Sequence, residues 1–221
     1  MYQLYLIKWL FILCLLDLFV ALSQKTTIGF ATQIASDFVY ANGWPTQDRN
    51  PRFCYDVDGD GKADLVGFAD NGVYVSFSNG VTFSPKKLVL SNMGYNNGWT
   101  SFNLYPRCLG KINNGCGADI IGFYKDGVYV ATFNGETFNA PQNMLPGQYG
   151  TNAGGWYTYD QYPRMCVDMN GDGKTDIVAF GGVTDITYAK SDGTFGATSS
   201  QVGESTSQLA SGYPSFNINP R

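Results

Sequence analysis

The sequence predicts an all-β protein, built as a partial β-propeller of about three four-stranded blades plus flanking strands. The 221 residues include 27 Gly, 15 Tyr and 15 Phe, and 14% are charged. This composition favours short strands joined by tight turns. The pair Pro-Arg also recurs four times, at spacings of 55, 57 and 57 residues. Four strand-like segments follow each complete copy, and four strands in about 55 residues is the size of one propeller blade.

The repeat has a second landmark, because a Gly-aromatic pair stands before each Pro-Arg pair at a constant distance. The four copies are Gly43-Trp44, Gly98-Trp99, Gly155-Trp156 and Gly212-Tyr213, with Pro51, Pro106, Pro163 and Pro220 following. The units therefore run over about 51–105, 106–162 and 163–219. In the first unit, strands are predicted near 52–57, 64–68, 73–77 and 88–90, with glycine-containing turns between them.

The first residues have the pattern of a secretory signal peptide. Lys8 precedes the apolar run 9–22. Ala21 and Ser23 are small residues at the two positions that a signal peptidase recognises before its cleavage site. An uncleaved membrane anchor is the alternative, but the run is short for a bilayer and contains Asp17. We therefore expect residues 1–23 to be removed and 24–221 to form the propeller. The predicted location is secreted and extracellular, with no membrane association after cleavage.

Composition also excludes several chemistries. The chain has no His, and 14 basic residues stand against 18 acidic ones, for a net charge of -4. A Ser-His-Asp nucleophile, a His-ligated zinc and a His-held haem are excluded, and a nucleic-acid partner is disfavoured. We therefore expect a protein that is not an enzyme, although sites made of Asp, Glu or Tyr stay open.

Two loops have the pattern of a calcium site. Residues 56–64 and 168–176 place oxygen-bearing side chains at positions 1, 3, 5 and 9, and the backbone carbonyl at position 7 is expected to contribute. An EF-hand would need Glu at position 12, where Gly67 and Ala179 stand, and a metal-free turn or an acid-base carboxylate pair are further alternatives. The predicted ligand positions are Asp56, Asp58, Asp60, Lys62 and Asp64, and Asp168, Asn170, Asp172, Lys174 and Asp176.

The middle loop, residues 111–119, departs from this pattern, since it has lost three of the four acidic positions. It is flanked by Cys108 and Cys116, which predicts a disulfide that replaces the ion as a cross-link. Two unpaired thiols are the alternative. Cys54 and Cys166 occupy equivalent positions in the first and third units, so we expect them to be unpaired, buried and too far apart to bond.

Three tryptophans are candidates for ligand binding: Trp44, Trp99 and Trp156. An exposed indole offers an apolar face to a sugar ring, and repetition would combine several weak sites. The alternative is that these large aromatic side chains pack neighbouring blades together.

The repeated elements resemble the FG-GAP/VCBS repeats of integrin-type β-propellers. The matching elements are Pro-Arg, the acidic loop followed by Leu65-Val66-Gly67-Phe68, and then Gly72-Val73-Tyr74-Val75. Within this group the chain resembles the Psathyrella velutina lectin family, secreted fungal propellers that bind N-acetylglucosamine-type sugars. The resemblance covers about residues 30–221. It implies a calcium-stabilised propeller with ligand pockets between blades.

The function expected from these observations is calcium-stabilised carbohydrate binding, with a glycan as partner. An extracellular protein-protein adhesion module of integrin-like type is the alternative. Three complete units would leave two apolar sheet faces uncovered. The sequence therefore predicts either further blades or self-association that completes the ring.

Overall fold

The computed structural model describes residues 37–115 and 117–201, and these form three four-stranded antiparallel sheets. Each sheet follows the order of its strands in the chain, as in a propeller blade. The predicted all-β partial propeller is therefore confirmed. The strands of blade 1 are β1 (Arg52–Tyr55), β2 (Asp64–Ala69), β3 (Gly72–Ser76) and β4 (Lys87–Leu90).

Blades 2 and 3 repeat the same topology, and β1, β5 and β9 are the first strands of their sheets. The strands of blade 2 are β5 (Arg107–Gly110), β6 (Asp119–Phe123), β7 (Gly127–Ala131) and β8 (Gln142–Pro146). Those of blade 3 are β9 (Arg164–Val167), β10 (Asp176–Phe180), β11 (Thr184–Thr187) and β12 (Ser199–Gln201). Two 3₁₀ helices, Tyr40–Asn42 and Tyr95–Asn97, lie just before the Gly-Trp pairs of the first two units.

Some predicted features lie outside the described residues. These are the signal peptide 1–23, the beginning of the chain up to residue 36, Cys116, and the fourth Gly-Tyr and Pro-Arg pairs in 202–221. Within the part that the structure describes, no helix has the length and apolar character needed to cross a bilayer.

The hydrophobic core lies between blades, because the facing sides of neighbouring sheets pack against each other. The cluster between blades 1 and 2 brings Val66, Phe68 and Val75 together with Leu109 and Ile120. A second cluster includes Ile121, Phe123 and Val130 of blade 2 and Ile177 and Ala179 of blade 3. Since alternate residues of a strand point to opposite faces, Ile120 and Ile121 serve different boundaries. We call the face of a blade toward the preceding blade its leading face, and the opposite one its trailing face.

A buried aspartate closes one end of each blade. Asp64, Asp119 and Asp176 are at most 1% exposed. The Asp64 carboxylate accepts hydrogen bonds from Val57 N at 2.9 Å and Ser78 N at 2.8 Å. Asp119 and Asp176 accept the two corresponding pairs of amides. Position 9 of each loop therefore ties the start of that loop to the segment just after the third strand.

The loops that join the first two strands of neighbouring blades are also bonded to one another. Ala118 N donates to Val57 O at 2.9 Å, and Thr175 N donates to Lys111 O at 2.7 Å. Lys111 N in turn donates to Thr175 Oγ1 at 3.0 Å. The middle loop is thus fixed between the two predicted calcium loops.

Candidate functional site

The first acidic loop gathers carboxylates as the sequence predicts. Ligand oxygens of Asp56, Asp58 and Asp64 all lie within 4.8 Å of one another. Burial, together with the nearby charges of Asp58 and Asp56, raises the pKa of Asp64. Carboxylates this close repel one another, and a hard cation among them would relieve the repulsion. The donor set therefore fits a calcium ion.

Asp60 and Lys62 of the same loop are engaged with each other. Lys62 Nζ lies 2.5 Å from Asp60 Oδ2, and this bond lowers the pKa of Asp60. Lys62 N also donates to Asp60 Oδ1 at 2.9 Å. Asp60 is not part of the three-carboxylate group. It could bind calcium, as predicted, only after its carboxylate separates from Lys62.

The third-blade loop has the same backbone fold. Asp168 accepts hydrogen bonds from Gly171 N at 2.7 Å and Gly173 N at 2.8 Å, and the amide of Gly173 is the largest cause of its lowered pKa. The corresponding bonds in blade 1 run from Gly59 and Gly61 to Asp56. Asn170 Oδ1 accepts from Asp172 N at 2.9 Å, and Lys174 Nζ lies 3.6 Å from Asp172. The amides hold the position 1 carboxylate ionised in a fixed orientation, as a metal ligand requires.

The middle loop is held by its own side chains. Asn113 Nδ2 donates to Asp119 Oδ2 at 3.1 Å, which an aspartate at this position cannot do. Burial raises the pKa of Asp119, while the amides of Phe133 and Ile112, the Asn113 amide and the charge of Lys111 act in the opposite direction. An amide donor and a lysine thus occupy the place that the other loops offer to a cation.

The disulfide prediction for Cys108 was wrong. Cys108 of β5 is bonded to Cys166 of β9, with their Cα atoms 6.3 Å apart, and Cys116 lies outside the described residues. Cys108 is the second residue after Pro106, whereas Cys166 is the third after Pro163. Because successive side chains of a strand alternate between the two faces of the sheet, Cys108 lies on the trailing face of blade 2 and Cys166 on the leading face of blade 3. The two cysteines therefore meet between these blades. The prediction that Cys166 is unpaired was therefore wrong as well. Cys54 is a free, exposed thiol, so the prediction that it is buried was also wrong.

The proposed role of the three tryptophans as sugar platforms also needs correction. Trp44, Trp99 and Trp156 are only 4%, 3% and 8% exposed, so their rings cannot offer an open face to a ligand. A Cβ on Gly67 or Gly122 would lie 2.5 Å from the ring of Trp44 or Trp99, respectively. Trp44 and Trp99 thus pack directly on glycines of the leading faces, and a Cβ on Gly181 would lie 2.8 Å from the Trp156 ring. This is the packing role raised as the alternative.

The recurrent arginine holds this packing in place. Arg107 Nη1 donates to the carbonyls of Met93 at 3.0 Å and Trp99 at 3.4 Å. Arg164 binds Tyr149 O and Trp156 O in the same way. Both guanidinium groups are buried, and this desolvation lowers their pKa to about 9. The Pro-Arg pairs stood out in the sequence as landmarks of the repeat, but nothing in the sequence indicated this clamp.

A polar and aromatic cluster lies at the surface between blades 1 and 2. Arg49 Nε and Nη2 donate to the two oxygens of Asp70 at 3.1 and 2.8 Å, and Asn50 Nδ2 donates to Asp70 Oδ1 at 3.2 Å. The Arg49 guanidinium carbon lies 3.8 Å from the centre of the Tyr95 ring. Arg49 and Asp70 are 40% and 44% exposed, so the pair is open to solvent. We call Arg49, Asn50, Asp70 and Tyr95 the junction cluster.

The next blade boundary has the same backbone but different side chains. Asn96 N donates to Asp70 O at 2.8 Å, and Asn152 N donates to Lys125 O at 2.7 Å, which makes these two turns equivalent. Where the first boundary has Arg49, Asp70 and Tyr95, the second has Leu104, Lys125 and Thr151. Between these two described boundaries, the acidic and aromatic combination belongs to the first.

The fold and its acidic loops define a β-propeller segment of repeated four-stranded blades. Among solved structures, the chain is similar to a lectin of Agrocybe aegerita described as specifically recognising non-reducing terminal N-acetylglucosamine, with 32% identity and a TM-score of 0.69. The match covers 76% of this chain and 41% of that one, so the chain spans less than half of the lectin's length. A scan against protein-family models and a search of curated proteins gave no match.

Proposed function

We propose that this protein is a lectin-like carbohydrate-binding module, with N-acetylglucosamine-type glycans as its ligand class. The observation that carries the proposal is the 32% identity over 76% of the chain to a lectin that recognises N-acetylglucosamine. The resemblance of the sequence to the Psathyrella velutina lectin family supports the same conclusion. Secretion and an extracellular location stay predictions.

The junction cluster is the binding site we propose. Sugars are bound by planar polar groups that hydrogen-bond hydroxyls, next to an aromatic ring that contacts C–H groups. Asp70 supplies carboxylate lone pairs, Arg49 supplies N–H groups, and Tyr95 supplies the ring. Asn50 is 2% exposed and donates to Phe68 O and Asp70 Oδ1, so its role is to position Asp70. These side chains come from the segment before blade 1, from the β2–β3 turn and from the segment after β4, so correct blade packing assembles them.

The electrostatics of the cluster suit an uncharged sugar. Hydrogen bonding to Arg49 lowers the pKa of Asp70, and the same bond raises the pKa of Arg49. Both groups are therefore ionised at neutral pH, and their charges balance. The guanidinium also fixes the carboxylate in one orientation, which reduces the entropy lost when a ligand binds.

Calcium is proposed as a stabilising ion in the loops of blades 1 and 3. Asp56, Asp58 and Asp64 would hold one ion, and Asp168, Asn170, Asp172 and Asp176 a second, with Asp60 and the position 7 carbonyls of Lys62 and Lys174 as further oxygens. The ion would supply positive charge among converging carboxylates. Since each loop is bonded to the middle loop, the ions would stabilise the arrangement of neighbouring blades.

Calorimetric titration with N-acetylglucosamine and an immobilised glycan panel would test the proposal. We expect Asp70→Asn and Tyr95→Ala to weaken binding at least tenfold with unchanged melting temperature, because both side chains are partly exposed. Lys125→Asn and Thr151→Ala change the equivalent positions of the second boundary and are the matched controls. No binding to any glycan by the wild-type chain would overturn the proposed function, and equal losses in the control variants would overturn the assignment of the site.

A further inference from the structure

The leading face of blade 1 is built in the same way as the leading faces of blades 2 and 3. Arg52 Nη1 donates to Phe38 O at 3.1 Å and Trp44 O at 3.3 Å, as Arg107 and Arg164 do to their own loops. The Trp44 ring packs on Gly67. This face is therefore organised as one side of a blade boundary.

Blade 1 differs from blades 2 and 3 in what covers the arginine on its leading face. The rings of Phe68 and Phe123, from the preceding blades, lie 5.1 Å from the guanidinium of Arg107 and 5.6 Å from that of Arg164. In front of Arg52 there is instead a groove of about 310 Å³, whose lining includes Phe38, Arg52, Cys54 and Leu65. Cys54 is exposed, whereas Leu109, its counterpart in blade 2, is 6% exposed. The groove lies where the other two boundaries hold a phenylalanine.

We propose that this face docks the trailing face of blade 3 from a second copy of the chain, head to tail. Phe180 is the third member of the phenylalanine series, because its amide donates to Pro163 O at 2.9 Å as those of Phe68 and Phe123 do to Pro51 and Pro106. Docking in the register of the internal boundaries sets Phe180 over Arg52. The contact continues, between copies, an interface that the chain already forms twice.

The same docking register also brings one residue of each copy face to face at a second point of the contact. Cys54 is the third residue after its proline, as Cys166 is, and Met165 is the second, as Cys108 is. Since Cys108 and Cys166 meet across a blade boundary with Cα atoms 6.3 Å apart, Cys54 of one copy would face Met165 of the other. A thiol introduced by Met165→Cys would then be within disulfide range of Cys54.

The test is the variant Met165→Cys in the full chain, analysed by non-reducing electrophoresis and peptide mapping. We expect a bond between chains that joins Cys54 of one copy to the introduced thiol of the other and that is lost with Cys54→Ser. The wild-type chain and Val81→Cys, which adds a thiol at a 77% exposed site away from the face, are the controls. Linkage no greater than in these controls, or linkage within one chain, would overturn the proposal. If residues 212–221 of the same chain covered Phe180, a second copy could not dock there, and linkage would be no greater than in the controls.

Sedimentation provides a second measurement that needs no cross-link. We expect the wild-type chain to sediment at micromolar concentration as a species of two or more copies. Cys54→Asp should sediment as one copy with unchanged folding, because the side chain is exposed. A wild-type chain that sediments as a single copy would contradict the proposal even if Met165→Cys failed to fold.

Discussion

Arg107 holds the backbone of Trp99 while the Trp99 ring packs on the same blade. The guanidinium donates to Trp99 O at 3.4 Å, and its carbon lies 5.6 Å from the centre of the indole ring. The ring in turn covers Gly122, which is paired with Arg107 in the sheet. The two landmarks of the sequence repeat therefore form one structural unit at each blade boundary.

Replacing Arg107 with Ala should destabilise the protein by about 3 kcal/mol, because it removes charged hydrogen bonds to two buried carbonyls and leaves a cavity. Arg52→Ala is the matched control. Its side chain makes the same bonds but is only half-buried within one copy, so we expect a loss of about 1 kcal/mol when both variants are compared in the single-copy Cys54→Asp background. Urea unfolding measures both. Equal losses of unfolding free energy in the two variants would show that burial of the arginine does not strengthen its contribution to stability.

Gly122→Ala should destabilise blade 2 by about 1 to 3 kcal/mol, because the added Cβ would lie 2.5 Å from the Trp99 ring. Blade 3 carries Ala179 at the corresponding position, paired with Arg164. Ala179→Gly is therefore the reverse control, and we expect a smaller loss there. Thermal melts of both variants give the comparison, and a neutral Gly122→Ala would show that the indole can move away.

Calcium should raise the melting temperature of the wild-type chain, since an ion that binds only the folded loops stabilises them. Asp58→Ala should remove one of two ions and reduce this shift. Asn113→Ala, at the same position of the middle loop, should leave the calcium response unchanged. Calorimetry in calcium and in chelator measures the effect, and identical wild-type melts would refute calcium stabilisation.

Loss of the disulfide through Cys108→Ser should cost about 4 kcal/mol by loop-closure entropy, since the bridge joins residues 58 apart. Cys54→Ser is the control, because its thiol is free, and its melting temperature should stay unchanged. Peptide mapping without reduction should recover Cys108 with Cys166. Recovery of Cys108 with Cys116 would contradict the structure.

The sequence predicted the features that recur with the repeat. Strands such as Asp64–Ala69 and Asp119–Phe123 follow from short apolar runs between turn glycines, and the acidic loops follow from the spacing of their carboxylates. The repeat pattern could not show whether a tryptophan is exposed or buried, because Trp44 and Trp99 recur in the same way whether they bind sugar or pack blades together. The junction cluster had no repeat signal, since its Arg49 and Asp70 have no counterparts at the second boundary.

The disulfide was mispredicted for a geometric reason that a sequence can reveal. Residues at equal repeat positions, such as Cys54 and Cys166, project from equivalent faces and cannot meet across one boundary. Two residues offset by one position in adjacent repeats, as Cys108 and Cys166 are, face each other. Comparing odd and even offsets between neighbouring units would have identified the pair.

The bridge between Cys108 and Cys166 encloses nearly all of blade 2 in a covalent ring, since β6, β7 and β8 lie between the two cysteines. A protease that cuts one surface turn of this blade, such as the turn between β6 and β7, therefore does not divide the molecule. Both fragments stay attached until a reductant opens the bridge. Digestion damage in this blade would be invisible on a non-reducing gel.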